Sequence, residues 1–202
     1  MVNGPTPNET DIEQLIQNLC SSDRFVRSAA ALALGQRRAV EGLIKLLDDK
    51  KTVWDAAGDA AWALGEIGDL RAVEPLIAAL DHVFVAGRAI ESLEILHDER
   101  TLEPLIRYFE RTMDPSVATV LGNWGDRRAV ESLIAAMDNP NPHVRFYAAR
   151  ALGKLADDRA LSVLEHAIVH DTEPILDTNS LRGKSVAYVA AKAIERIKSS
   201  LE

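Results

Sequence analysis

The side chains best suited to recognition in this chain of 202 residues stand at matched places beside a recurring phrase, Ala-Leu-Gly. Immediately before its leucine-flanking alanine, or the degenerate equivalents of that alanine, come Leu32, Trp62, Glu91, Thr119, Arg150 and Lys192. One and two turns earlier stand Phe25, Asp55 with Asp59, Phe84 with Arg88, Phe146 with Tyr147, and Tyr188. On helices, these positions make one surface of mixed aromatic and charged groups, the composition of a face that recognises a partner or a ligand. Trp62 is its natural anchor, because a large amphipathic ring stands where a solvated helix face needs only a charge. The competing reading has Trp62 filling a gap beside Gly58 and Gly87. Phe25 and Phe84 are expected to turn sideways into packing between repeats. Asp59, Arg88 and Glu91 fit ion pairs between repeats equally well, and such surface pairs add little net stability. The binding set expected from sequence is therefore Asp55, Asp59, Trp62, Arg88, Glu91, Phe146, Tyr147, Arg150, Tyr188 and Lys192.

No catalytic residue can be assigned beside that set. The chain has no glycine-rich phosphate loop, no nucleophile elbow and no serine or cysteine triad pattern. Cys20 closes the first helix without an activating histidine or helix N-terminus, which is the setting of a buried structural thiol. His166 and His170 have the i, i+4 spacing of metal ligands, with Glu165 or Asp171 as an oxygen donor. His166, however, aligns with Lys45 and Ala78 on an outer face, so no metal site is assigned. Trp124 aligns with Ile67, Leu96 and Leu155 and is expected in the core, whereas Trp54, at the start of a helix, is open. Paired carboxylates such as Asp48-Asp49 and Asp157-Asp158 read as solvated caps in turns.

The elements that position these groups follow from repetition. Equivalent residues Ala39, Ala72, Thr101, Ala129 and Ala160 are separated by 33, 29, 28 and 31 positions, the length of a two-helix unit. In the first helix of each unit apolar residues recur at i, i+3, i+4 and i+7: Ile12, Leu15, Ile16, Leu19; Val40, Leu43, Ile44, Leu47; Val73, Leu76, Ile77, Leu80. Asp69, Asp126 and Asp158 precede such helices as caps, and Pro75 and Pro104 fall in first turns, where proline is tolerated. The second helices are alanine-rich (Val26 to Leu34, Ala56 to Leu64, Val144 to Leu152), and Gly35, Gly65, Gly122 and Gly153 are read as relieving strain at their ends. Helix pairs that bury their apolar faces on their neighbours stack into an all-α solenoid, a superhelix of about six two-helix repeats. The expected units are 11–38, 39–71, 72–100, 101–128, 129–159 and 160–202, forming one domain behind a flexible leader at 1–10. Two units deviate: the fourth has a short second helix begun by Asp114-Pro115, and the sixth carries a long acidic loop from His170 to Gly183, a length that is often functional.

Composition narrows the function classes. A formal charge of −8 opposes non-specific binding to nucleic acid and to anionic membrane, and Asp55, Asp59 and Glu91 put acid where a nucleic-acid groove needs base. One cysteine supports neither an internal disulfide nor a thiolate metal site, and a cytoplasmic setting is expected. No run of 18 apolar residues suggests membrane insertion, and Met1 to Thr10 lacks the regions of a signal peptide.

The combination of Ala-Val-Glu-Pro-Leu-Ile, Val26-Arg27 and Val144-Arg145, Ala-Leu-Gly at 33–35, 63–65 and 151–153, and Asp-x-Arg at 69–71, 98–100, 126–128 and 157–159 resembles the HEAT-like repeats named after phycobilisome lyases. The resemblance runs from about Asp11 onward. It implies a protein-binding scaffold acting on phycobiliproteins or phycobilisomes, as a bilin lyase subunit, a chromophore chaperone or a disassembly factor. Lyase subunits of this type attach linear tetrapyrroles to phycobiliprotein cysteines and work as heterodimers, so the implied partners are a phycobiliprotein or a second HEAT-like subunit, and the implied ligand is phycocyanobilin, with no intrinsic cofactor. Under that resemblance Arg88 or Arg150 meets the propionates, Trp62 with Tyr147 walls the pyrroles, and Asp55 or Asp59 supplies a proton. The same repeats also build adaptors and regulatory subunits that bind proteins through a concave face with no chromophore, and that alternative stands beside the first.

Overall fold

The computed structural model describes residues 7–37, 39–48, 54–175 and 184–201. Among the described residues there are twelve α-helices joined by tight turns, and no β-strand longer than an isolated bridge between Pro174 and Ser185. No helix among them is long and apolar enough to cross a membrane.

The chain divides into two compact units, Met1–Thr101 and Leu102–Glu202, each holding three helix pairs. In the first unit the pairs are α1 (Pro7–Leu19) with α2 (Arg24–Gln36), α3 (Val40–Asp48) with α4 (Trp54–Ile67), and α5 (Val73–Ala79) with α6 (Ala86–Leu96). First helices pack on first helices and second on second, α1 to α3 to α5 and α2 to α4 to α6. The second unit pairs α7 (Leu102–Thr112) with α8 (Pro115–Trp124), α9 (Val130–Ala135) with α10 (Pro142–Leu155), and α11 (Leu161–His170) with α12 (Val186–Leu201), and α10 lies between α8 and α12.

The apolar spacing read from sequence is what each unit buries. On α7, for example, Leu102, Leu105, Ile106 and Phe109 are all buried, and side chains of this size each contribute about 1.5–3 kcal/mol on leaving water. Second helices instead bury small residues: α4 hides Ala56, Ala57, Ala60, Ala61 and Ala63. At positions 65, 122 and 153 the glycine of this phrase serves that close packing and not the helix end. A methyl added at Gly65 would stand 2.8 Å from Ser92 Cα, one at Gly122 2.8 Å from Ala151 Cα, and one at Gly153 2.8 Å from Ala193 Cα. Each partner is the residue that occupies the alanine position of the next Ala-Leu-Gly. Glycine thus lets neighbouring second helices touch backbone to backbone. The left-handed residue that ends these helices comes three positions later, at Gly68 and Gly125, and at His97 and Ala156 it is not glycine.

The Asp-x-Arg motif performs a second linking role. Asp69, Asp126 and Asp157 cap short 3-10 turns by accepting the backbone N–H two residues on, and Asp98 accepts the Arg100 N–H in the same way. The cap at the last of these turns is Asp157, with Asp158 one residue inside it. The same carboxylates hold the guanidinium of Arg71, Arg100, Arg128 or Arg159. Each arginine also reaches the glutamate one repeat back: Glu41 at 2.5 Å, Glu74 at 3.4 Å, Glu103 at 3.7 Å and Glu131 at 2.8 Å. The glutamate of Ala-Val-Glu and the arginine of Asp-x-Arg are therefore one inter-repeat strut. Because Arg159 donates to it and Arg127 lies nearby, the buried Asp157 carboxyl is held down at about 2.

Candidate functional site

In the first unit the sequence-expected residues gather on α4 and α6. Asp55 and Asp59 extend from the first turns of α4 and both meet one cation, Arg27 of α2, whose Nη2 lies 3.1 Å from Asp55 and whose Nε lies 3.1 Å from Asp59. Arg27 also donates to the carbonyls of Ser21 and Ser22. The pair of carboxylates thus fastens α4 to the turn before α2. Trp62 is half-buried on the same helix, and Arg88 and Glu91 pair with each other along α6 at 2.9 Å, both about half exposed. A Cβ at Gly58 would lie 3.6 Å from Arg88 Cγ, so the bare glycine backbone runs beside the arginine stem.

The aromatic residues there meet expectation in part. Phe25 is 78% exposed, whereas Phe84, though 63% exposed, turns sideways onto the neighbouring repeat as expected. It stacks on Trp54 with ring centroids 4.0 Å apart, and His82 meets the Trp54 edge at 5.7 Å. Beside this stack a cavity of about 450 Å³ is bounded by Leu47, Trp54, Pro75, Ala78 and Val85. A stacked pair of exposed rings is a tertiary contact between α4 and the 82–85 turn that no local periodicity encodes.

In the second unit α10 and α12 bring five expected residues into one groove of about 510 Å³. Phe146 lies in its buried floor, Tyr147 is half-buried, and Arg150, Tyr188 and Lys192 are exposed on its walls. Lys184 and Arg196 also line it, with Glu195 as the one acid among the described lining residues. Those two cations were missed by alignment on Ala-Leu-Gly, yet a signal existed: Tyr188, Lys192 and Arg196 follow at intervals of four on one face of α12, and Lys184 continues the same spacing just before the helix begins. The ammonium of Lys184 lies 5.6 Å and that of Lys192 5.3 Å from the Tyr188 ring centre, and the Arg150 guanidinium lies 6.0 Å from that of Tyr147. Cation–π attraction holds the charges over the rings.

A third cavity, about 390 Å³, is bounded by Asp138, Arg145, His166, His170 and Asp171. Arg145 occupies the place of Arg27 and behaves alike, clasping Asp171 through Nε at 2.5 Å and Nη2 at 2.9 Å while donating to the carbonyls of Asn139 and Pro140. This fastens the start of the acidic loop, of which residues 176–183, including Asp177, lie outside the described residues. His166 and His170 are exposed with ring centres 4.3 Å apart. Among the described residues no group of three or more His, Cys, Asp or Glu side chains is placed to hold a metal ion. Cys20 is exposed, contrary to the buried thiol expected of it, and Trp124 is half-buried at the end of α8.

Comparison with known proteins adds an independent line. The model for HEAT repeats matches residues 115–183, and the model for the PBS lyase HEAT-like repeat matches residues 56–82. The chain is 33% identical over 177 residues to the phycocyanobilin lyase subunit alpha of Pseudanabaena tenuis, covering 76% of this chain and 65% of that one. It is 31% identical over 185 residues to the subunit of the same name from a Nostoc species, covering 77% and 65%. It thus spans 65% of the length of both relatives. Among solved structures, the complex of CpcE and CpcF of phycocyanin lyase from a Nostoc species superposes with a TM-score of 0.58 at 28% identity, covering 89% of this chain and 75% of that one. An engineered protein superposes with a TM-score of 0.59 at 24% identity, covering 94% and 97%, a likeness of fold alone.

Proposed function

We propose that this chain, which is a HEAT-like repeat protein of the phycobilisome lyase type, is one subunit of a bilin lyase that delivers phycocyanobilin to a phycobiliprotein together with a second HEAT-like subunit. The observation that carries this reading is the similarity to lyase alpha subunits across three quarters of the chain. The residues present in the first unit fit a role in holding and presenting, because Trp62 on α4 and Arg88 on the neighbouring α6 are the kinds of group that suit pyrroles and propionates. Asp55 and Asp59 fit proton donation less well, since both are already engaged by Arg27. In this proposal the protein works in a reducing, cytoplasmic compartment, in keeping with its single cysteine.

The test mixes the chain, a cysteine-bearing apo-phycobiliprotein and phycocyanobilin, with and without a second lyase subunit, and follows bilin absorbance that survives denaturation. Attachment that requires both subunits is the expected result. No attachment in either mixture, under conditions where an authentic lyase pair is active, would count against the proposal. A second reading, an adaptor that handles no chromophore, is favoured by one observation: the groove rings of Tyr147 and Tyr188 in the second unit already carry cations on their faces. Bilin that fails to change absorbance on titration, while the phycobiliprotein still binds, is the outcome belonging to that reading.

A further inference from the structure

The groove between α10 and α12 is a concentration of positive charge in a chain whose formal charge is −8. Among the described lining residues, four cations, Arg150, Lys184, Lys192 and Arg196, face one carboxylate, Glu195. Among the described residues none of the four is paired with a carboxylate in the manner of Arg27 or Arg145. What positions three of them is an aromatic ring, with Tyr188 between Lys184 and Lys192 and Tyr147 beneath Arg150. Cations held by ring faces keep their charge directed outward and unsatisfied, whereas cations in ion pairs do not. The same contacts occupy the ring faces on which a flat apolar ligand would stack.

Spacing narrows the occupant further. Residues four apart on α12 rise about 6 Å along the helix axis, so Tyr188, Lys192 and Arg196 form successive rungs spanning about 12 Å, with Lys184 in the segment just before the helix. Alternate side chains of an extended peptide lie on one side at about 6.6–6.8 Å, nearly the same interval. An open groove of about 510 Å³ accommodates several residues of such a strand. We infer that the α10–α12 groove docks an extended acidic segment of a partner protein, with carboxylates at alternate positions meeting Lys192 and Arg196 from α12 and Arg150 from α10. This interaction surface is separate from tetrapyrrole chemistry and holds whether or not the chain takes part in bilin transfer.

The test is fluorescence anisotropy with the intact chain and a labelled ten-residue peptide alternating glutamate and threonine, against its glutamine counterpart. The glutamate peptide is expected to bind and the glutamine peptide to bind at least about tenfold more weakly, with affinity falling steeply as salt rises beyond about 0.1 M. Arg150→Glu combined with Lys192→Glu is expected to cost at least about tenfold again, both residues being exposed, with helical circular dichroism unchanged. Glu195→Gln is expected to strengthen binding by about twofold to threefold through loss of the one opposing charge. Equal affinity for the two peptides, or undiminished binding by the folded double variant, overturns the inference. So does displacement of the glutamate peptide by phycocyanobilin or by an oligothymidylate that binds more tightly and is lost in the same double variant, since the groove would then belong to a chromophore or a nucleic acid. A failed bilin-transfer assay leaves the peptide result untouched, and the reverse is equally true.

Discussion

At the scale of single residues, one side chain that fits its repeat badly is Ala156, which ends α10 with φ at 50°. The equivalent residues Gly68 and Gly125 take the same left-handed turn without a Cβ to crowd the following carbonyl. Ala156→Gly is therefore expected to stabilise the protein by about 0.5–1 kcal/mol despite the greater freedom of an unfolded glycine, read as a higher urea midpoint at unchanged slope. Asp157 shows the opposite, a residue whose surroundings reward it. Its carboxyl is lowered from 3.8 to about 2 by the Arg159 side chain first, and Asp98 and Asp126 are lowered by Arg100 and Arg128. A folded-state pKa below the unfolded one gives stability that is fully present above the unfolded value and is lost as pH falls through the folded value. Wild-type stability is thus expected to be insensitive to these groups down to about pH 4 and to decline from there toward pH 2. Asp157→Asn should remove about 1 kcal/mol at neutral pH through the weakened cap and arginine contact, and should make the acid-side decline shallower. Urea midpoints at pH 7, 4, 3 and 2 check both, and an equally steep decline in the variant would show that Asp157 is not one of the groups responsible.

At the scale of elements, identical-looking glycines separate into two kinds. A Cβ at Gly35 meets nothing within 4 Å, whereas one at Gly153 meets the Ala193 backbone at 2.8 Å. Gly35→Ala should then gain about 0.5–1 kcal/mol from helix propensity alone, and Gly153→Ala should lose about 1–3 kcal/mol by forcing α10 from α12. Matching signs for the two substitutions would show that close approach is not what selects glycine here. This distinction marks where sequence reading ran out. The helices, their apolar faces and most caps were legible because their causes are local: spacing of 3.6, an aspartate before a turn, proline in a first turn. Whether a glycine near a helix end serves the turn or the neighbouring helix depends on a residue some thirty positions away, and both explanations predict the same letters. Asp59 was legible as a candidate for an ion pair between repeats, but its partner, Arg27 on α2, and the sharing of that arginine with Asp55 were not. The groove of the second unit was half legible: Tyr147, Arg150, Tyr188 and Lys192 followed from alignment, whereas Lys184 precedes α12 and became part of the face only through its spacing from Tyr188.

At the scale of the whole molecule, the six repeats fall into two units of three, and the division follows the third repeat, in which Glu94 stands where the first, second, fourth and fifth have glycine. Repeat arrays gain their stability from each repeat and its nearest neighbours, so a lesion is felt first where it is made. The tryptophans report this directly, since Trp54 and Trp62 belong to the first unit and Trp124 to the second. In Trp124→Phe, fluorescence follows the first unit alone while circular dichroism follows all helices. Adding Gly153→Ala to that background is expected to leave the fluorescence midpoint where it was and to split the circular dichroism transition, with the earlier phase belonging to α7 through α12. If fluorescence and circular dichroism instead move together to lower urea, the six repeats unfold as one cooperative block, and the three-repeat unit is a feature of packing without being a unit of stability.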